Sequence, residues 1–322
     1  MDQQVKISNT KLPPPWKTWR YRLEFLALSA AAALVPKLPY TSLDQLASWL
    51  GNLVFALDLR GRSIALENLR CAFANSLSPE NRELIARQSY HTFAKTMLCL
   101  FWSPSLSKHN YHQWIRVEGL DSDPVHKNPN APGIYFLGHF SNFEWLSLYT
   151  AYILQPGILI AQKFKNSLLN SIFDSLRSST GHVMIPRERA IVRMLKILKN
   201  GGKVGAAADL SIDPRLGAIP IRCFGLWTAA SPLAPTLNLR TGAPLFFVDM
   251  IPDDDGGYTV RLHPRLQLPT NAGPREIAQI CWDILESRIR KNPELWLWSY
   301  KQWRFRPASA PKNSYPSYAN TA

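Results

Sequence analysis

Beyond about residue 130, short apolar runs alternate with segments of helical periodicity, and this alternation restricts the possible folds more than any other feature. Runs with the length and composition of buried strands occur at 133–137, 157–161, 203–208, 219–223 and 244–251. Between these runs, helical segments are predicted at 167–177, 189–200 and 229–240. Such alternation predicts an α/β fold in which helices cover both faces of the sheet.

The connection 253–257 contains three aspartates followed by two glycines, which is typical of a hairpin turn. The strands on either side of it are therefore expected to be antiparallel, so that the sheet is mixed but mostly parallel. A closing helix is predicted over 274–291, and residues 111–307 are expected to form the α/β core. The tail at 308–322, rich in Ser, Pro and Ala, is expected to be disordered.

The first third of the chain has the pattern of a helical region. Its apolar stretch at 25–35 follows Lys17, Arg20 and Arg22, and it is shorter than the roughly 18–20 residues of a spanning helix. No small-x-small cleavage site of a signal peptide follows it. Residues 16–110 are therefore expected to be helical and to associate with a membrane surface, after a disordered segment at 1–15. An ordinary core helix at 25–35 is the alternative.

The 322 residues include 37 Lys and Arg against 23 Asp and Glu, a net charge of +14, which indicates an anionic partner. Nucleic acid, an acidic membrane surface and a phosphorylated substrate all fit this charge. Nucleic acid is not expected, because the basic residues are scattered and no recognised nucleic-acid module is present. The four cysteines are far apart and unpaired with histidines, so neither a disulfide framework nor a metal site is expected, and no cofactor is expected.

Candidate catalytic residues directly follow the predicted strand 133–137, in the sequence Gly-His-Phe-Ser-Asn-Phe-Glu that ends at Glu144. Catalytic groups of α/β sheets collect at the carboxyl ends of strands. A helix starting near Ser141 would turn Glu144 back towards His139, where its carboxylate could hold one ring nitrogen and leave the other as a general base. The alternative is a capping box formed by Ser141 and Glu144, and both interpretations can hold together.

Further motifs follow downstream. Arg187 comes after a short apolar run that begins at Gly181, and Asp209 ends a predicted strand. Asp209 could be a second carboxylate near His139 or a cap for the loop 211–216. The segment 293–304 is rich in tryptophan, and its rings are expected to pack in the core rather than to bind a ligand: Trp296, Trp298 and Trp303.

Together with the segment Asn-Leu-Arg-Cys-Ala-Phe at 68–73, these motifs resemble the bacterial lipid A biosynthesis acyltransferases over about residues 20–307. The resemblance implies transfer of a fatty acyl group from an acyl carrier protein or coenzyme A thioester to a hydroxyl of a membrane glycolipid. The protein is expected at the cytoplasmic face of the inner membrane, because Lys17, Arg20 and Arg22 favour the cytoplasmic side and the apolar run that follows them is too short to cross. The resemblance also implies that His139 is the general base, that Glu144 is its acidic partner, and that Arg187 holds a phosphate.

A thioester carbonyl is already activated, and neither a cysteine nor a G-x-S-x-G elbow lies beside His139, so direct transfer without a covalent intermediate is expected. Backbone N–H groups at the helix start, or the side chain of Asn142, are expected to stabilise the oxyanion. The chain departs from the family pattern at Leu210 and at 299–302. A lipid A precursor, another glycolipid and a lysophospholipid therefore remain possible acceptors.

Overall fold

The computed structural model describes residues 15–161, 163–186 and 190–321, and the centre of the described structure is a seven-stranded sheet. In chain order the strands are β1 (Ile115–Glu118), β2 (Gly133–Leu137), β3 (Ile158–Ala161), β4 (Val183–Pro186), β5 (Lys203–Ala207), β6 (Ile219–Cys223), β7 (Leu226–Ala230), β8 (Leu245–Pro252) and β9 (Tyr258–Arg265). Across the sheet their order is β1-β9-β8-β2-β5-β3-β4, while β6 and β7 form a separate hairpin. Every neighbouring pair in the large sheet is parallel except β8 and β9. The predicted mixed, mostly parallel sheet and its hairpin at 253–257 are confirmed.

The other large elements of the described residues are helices. They are α1 (Pro15–Leu34), α2 (Ser42–Leu57), α3 (Leu59–Phe73), α4 (Pro79–Trp102), α5 (Pro124–Lys127), α6 (Phe143–Ile153), α7 (Asn170–Ser178), α8 (Ala190–Lys199), α9 (Leu233–Thr241) and α10 (Pro274–Lys291). Helix α4 has a well-defined start, because the Ser78 hydroxyl accepts a hydrogen bond from Asn81 N at 3.2 Å and Pro79 occupies the first turn. None of the described helices is long and apolar enough to cross a bilayer.

Two apolar cores lie on opposite faces of the sheet, and β2 contributes to both because its side chains alternate. Phe136 packs with residues of α8, α9 and α10, whereas Tyr135 packs with residues of α4, α6 and α7. Helices cover both cores, since Leu285 of α10 and Trp145 of α6 are fully buried. The prediction of helices on both faces is therefore confirmed.

The hairpin β6–β7 differs from the sequence prediction, which assigned a helix to 229–240. Phe224 (φ +48°) and Gly225 (φ +79°) form the tight turn, and both dihedrals are those of a two-residue hairpin connection. Pairing of Cys223 with Leu226 then draws the following residues into a strand. Helix α9 starts only at Leu233, after Pro232.

The C-terminal tail also differs from its prediction. Residues 308–321 do not form the disordered segment expected from composition, because Tyr315 is buried and the short strands β10 (Phe305–Arg306) and β11 (Asn320–Thr321) pair in parallel. Aromatic side chains and backbone pairing offset the ordering cost of a polar, proline-rich segment. Of the segment 1–15 predicted to be disordered, residues 1–14 lie outside the described residues, and Pro15 begins α1.

Candidate active site

His139 lies two residues beyond the end of β2, and Asp209 lies two residues beyond the end of β5. The two strands are parallel neighbours, with Leu137 paired to Ala207, so their carboxyl ends meet at one edge of the sheet. The backbone bond from Ala208 N to Leu137 O, 2.8 Å, extends this pairing beyond the strand ends. Sheet topology therefore brings together an imidazole and a carboxylate that are 70 residues apart.

The carboxylate of Asp209 is the direct partner of the His139 ring. Its Oδ1 lies 2.9 Å from His139 Nδ1, and its Oδ2 accepts hydrogen bonds from the backbone N of His139 at 2.7 Å and from Trp296 Nε1 at 2.9 Å. An ionised carboxylate only accepts hydrogen bonds, so Nδ1 carries the proton and Nε2 is the ring nitrogen able to take up another. Of the two interpretations of Asp209, the carboxylate near His139 agrees with the structure.

Burial and charge oppose each other in this pair. Desolvation lowers the pKa of His139, but the charge and hydrogen bond of Asp209 outweigh it and raise the pKa above the ordinary value of 6.5. Desolvation likewise raises the pKa of Asp209, but attraction to His139 and three hydrogen bonds bring it below its ordinary value. The side chain of His139 is 30% exposed while that of Asp209 is 3% exposed, so the imidazole is accessible and its carboxylate partner is shielded.

The predicted pairing of Glu144 with the His139 ring is wrong. Glu144 is buried on the first turn of α6, and its carboxylate is held by Arg177 of α7, with Nε donating to Oε2 at 3.0 Å and Nη2 donating to Oε1. The first turn of α6 directs this side chain towards α7, whereas β5 delivers Asp209 to the ring. Glu144 still contributes a smaller, long-range increase to the pKa of His139.

The start of α6 also differs from the predicted capping box. The N-cap is Asn142, whose Oδ1 accepts a hydrogen bond from Trp145 N at 3.2 Å, and not Ser141. Asn142 is 1% exposed, so its carboxamide is part of the interior and not of the accessible surface beside His139. Ser141 has φ +52°, a left-handed conformation that costs a non-glycine residue energy.

The tryptophan-rich segment forms the remaining wall of the site. Ser141 N donates to Leu295 O at 2.6 Å, Leu297 N donates to His139 O at 3.2 Å, and Phe140 pairs with Trp296 in an antiparallel bridge. A cavity of about 100 Å³ opens here, lined by His139, Asp209, Leu210, Trp296, Leu297 and Tyr300. Substrate atoms that reach this cavity would touch the imidazole.

The three tryptophans are buried, as predicted: Trp296, Trp298 and Trp303. Sequence reasoning missed that Trp296 also donates to the Asp209 carboxylate and that Tyr300 lines the cavity. Both residues lie in the tryptophan-rich segment that is part of the family pattern, but the residue spacing within that segment does not indicate these contacts. The predicted phosphate ligand Arg187 lies outside the described residues.

A family model, described as "Bacterial lipid A biosynthesis acyltransferase", matches residues 14–305. The chain belongs to the bacterial lipid A biosynthesis acyltransferase family. This confirms the resemblance noted from the motifs, and the chain is accordingly an enzyme that transfers acyl groups.

Individual relatives agree with this assignment over nearly their whole lengths. The chain is 27% identical over 318 residues to the lipid A biosynthesis palmitoleoyltransferase of Escherichia coli K12, covering 95% of this chain and 97% of that protein. It is 25% identical over 318 residues to the lauroyltransferase of the same strain, covering 97% and 99%. A lipid A biosynthesis acyltransferase of Haemophilus influenzae is 25% identical over 315 residues, covering 94% and 97%.

Proposed function

We propose that the protein transfers a fatty acyl group from a thioester to a hydroxyl of a lipid A precursor, with His139 as general base. The observation that supports this most directly is the His139–Asp209 hydrogen bond at the rim of a cavity. A carboxylate on Nδ1 fixes the ring orientation and stabilises the imidazolium that forms during catalysis. The names of the relatives support lipid A as the acceptor class.

The proposed reaction is a single displacement. Nε2 of His139 takes the proton of the acceptor hydroxyl as its oxygen attacks the thioester carbonyl. Backbone N–H groups in the first turn of α6 stabilise the oxyanion of the tetrahedral intermediate, since a helix N-terminus carries partial positive charge. The intermediate then expels the thiolate, which receives the proton from the imidazolium, giving an ester and a free thiol.

The donor is an acyl carrier protein or coenzyme A thioester, and the basic excess of the chain is complementary to both. For the acceptor, Arg187 is proposed to hold a phosphate. Arg187→Lys should then raise the Michaelis constant for the acceptor more than that for the thioester, because lysine lacks the bidentate guanidinium fork. Equal use of a phosphorylated acceptor and its unphosphorylated twin by the wild type would contradict this role.

Association with the cytoplasmic face of the inner membrane is supported by the exposed face of α1. Its Trp16, Trp19, Leu23 and Leu26 are each 61–65% exposed and lie within one helical stripe. The loop 163–168 adds two exposed apolar and two exposed basic side chains next to this helix: Lys163, Phe164, Lys165 and Leu168.

This loop is fastened to α1 through Asn166. Its Nδ2 donates to Tyr21 O at 2.9 Å and to Glu24 Oε2 at 3.0 Å. Because the loop follows β3, it lies at the same edge of the sheet as His139. An anionic bilayer at this surface would bring acceptor lipid to the catalytic edge.

The enzymatic proposal is tested with purified protein, a panel of acyl carrier protein and coenzyme A thioesters, and lipid A precursors or lysophospholipids as acceptors. His139→Ala should reduce turnover by about 10²–10⁴-fold while the melting temperature stays close to that of the wild type. A folded His139→Ala enzyme with near-wild-type turnover would refute the general base.

Membrane docking is tested by sedimentation with vesicles containing anionic phospholipid. Replacing Trp19 and Leu23 by serine should release the full-length protein from these vesicles. Leu239→Ser is the matched control, since Leu239 is 50% exposed but lies on α9. Equal binding by both variants would show that the α1 face is not the docking surface.

A further inference from the structure

Asn68 of α3 is a fully buried amide that joins three separate parts of the chain. Its Nδ2 donates to Trp298 O at 2.8 Å and to Tyr300 O at 2.7 Å, and its Oδ1 accepts a hydrogen bond from the Tyr318 hydroxyl. The amide thereby uses both donors and an acceptor site on elements more than 200 residues away. A buried amide satisfied in this way fixes the backbone it binds.

The backbone held by Asn68 carries Tyr300, which forms part of the cavity wall beside His139. The Tyr300 hydroxyl accepts a hydrogen bond from Ser211 N at 3.1 Å and donates to Ser211 O at 3.2 Å. Ser211 is two residues from Asp209 in the chain. The position of Tyr300 therefore affects the loop that places the Asp209 carboxylate against the imidazole.

The third part joined by Asn68 is the tail, which lies beyond the residues 14–305 that the family model matches. The Tyr318 hydroxyl that donates to Asn68 also accepts a hydrogen bond from Trp303 N at 3.3 Å. The tail is fixed to α3 independently, because Ser317 Oγ donates to Glu67 Oε1 at 2.8 Å and Arg70 Nη2 donates to Tyr315 O at 3.3 Å.

We propose that Asn68 and Tyr318 are positioning residues for catalysis: the tail, through Tyr318 and Asn68, holds Tyr300 and so keeps Asp209 aligned with His139. The inference rests on the proposed function of the His139–Asp209 pair. It assigns a role in the reaction to a segment outside the family match, and a role in positioning to the buried asparagine of the motif at 68–73.

The test compares Tyr318→Phe with Tyr315→Phe. Both remove one hydroxyl from the same tail, and the Tyr315 hydroxyl accepts a hydrogen bond from Trp227 N at 2.9 Å, away from Asn68. Tyr318→Phe should lower kcat by about 3- to 10-fold, the range expected for loss of one hydrogen bond. It should also move the acid limb of the pH profile of kcat/KM to lower pH, because a less well aligned Asp209 raises the pKa of His139 less.

Tyr315→Phe should leave the position of that limb unchanged. A lower active fraction alone reduces the rate at every pH and does not move the limb, so the pH profile separates positioning from simple destabilisation. Coincident limbs in Tyr318→Phe and the wild type would overturn the inference.

If Tyr318→Phe does not fold, as judged by its melting transition, the same measurement on Tyr300→Phe decides. Loss of the bond to Ser211 should shift the limb in the same direction, and an unshifted limb would overturn the inference. His139→Ala, assayed in parallel, separates this result from the proposed function. An active His139→Ala enzyme refutes the general base itself, whereas an inactive one beside unshifted limbs refutes only the positioning role.

Discussion

Replacing Asp209 by asparagine should remove most of the catalytic activity without changing the shape of the site. In the wild type, Oδ2 accepts hydrogen bonds from two N–H groups and Oδ1 faces His139 Nδ1. The side chain of asparagine has one oxygen, which accepts two hydrogen bonds in the position of Oδ2 but only one in the position of Oδ1. The oxygen therefore takes the Oδ2 position, and the NH₂ group faces His139 Nδ1. Nδ1 must then become the acceptor, and the ring proton moves to Nε2.

An imidazole protonated on Nε2 cannot take the proton of the acceptor hydroxyl. The cost is that of losing the general base, about 10²–10⁴-fold in kcat. This corresponds to about 2.7–5.4 kcal/mol of transition-state stabilisation at 1.36 kcal/mol per tenfold change. Residual activity through the other tautomer should lose the pKa increase that the carboxylate provides, so its acid limb should lie at lower pH than that of the wild type.

The assay is steady-state transfer to a lipid A precursor between pH 5 and 9, with the melting temperature measured on the same preparations. In the wild type, activity should rise with pH through a midpoint above 6.5, the ordinary pKa of histidine, because the base must be neutral to act. A folded Asp209→Asn enzyme within about threefold of wild-type kcat, with an unshifted acid limb, would refute the reasoning.

Glu144→Gln should reduce turnover less than His139→Ala, because its carboxylate binds Arg177 and not the ring. In denaturant titrations, Glu144→Gln should lower the free energy of unfolding by up to about 3 kcal/mol, since the mostly buried Arg177 guanidinium loses its counter-ion. The double variant Glu144→Gln with Arg177→Gln should recover part of this lost stability. Ser141→Gly should raise the free energy of unfolding by a few tenths to about 1 kcal/mol, since glycine adopts φ +52° without strain. A melting temperature below that of the wild type would contradict this expected gain in stability.

The position of His139 could be predicted from sequence, whereas its partner could not. A buried apolar strand followed by a polar turn and a helix is a local pattern, and the strand and helix form where that pattern indicates. Asp209 is 70 residues from His139, and Trp296 is a further 87 residues beyond Asp209. Asp209 reaches the ring because β5 lies beside β2, and the order of strands in a sheet cannot be read from a single sequence. Proximity in the sequence favours Glu144, whereas the fold brings Asp209 to the ring.

Average composition does not predict whether a segment is ordered when a few aromatic residues hold it in place. The tail is polar and proline-rich on average, yet Tyr315 anchors it by its buried ring and a hydrogen bond from Trp227, and Tyr318 anchors it by a hydrogen bond to Asn68. Averages over a window do not reveal that two hydroxyls find partners on distant elements. The same limit applies at β7, where pairing with β6 overrides the helical preference of alanine.

Gly138, the residue before His139, lies where a larger side chain would not fit. A Cβ atom at Gly138 would lie 2.6 Å from Leu285 Cδ2 and 3.2 Å from Asp209 Oδ2. Leu285 is fully buried on α10, so its side chain has little room to move away, and the carboxylate is held by three donors. Glycine at 138 thus leaves room for both Leu285 of α10 and the Asp209 carboxylate beside the backbone that leads into His139. Glycine before His139 is therefore a packing requirement of this site.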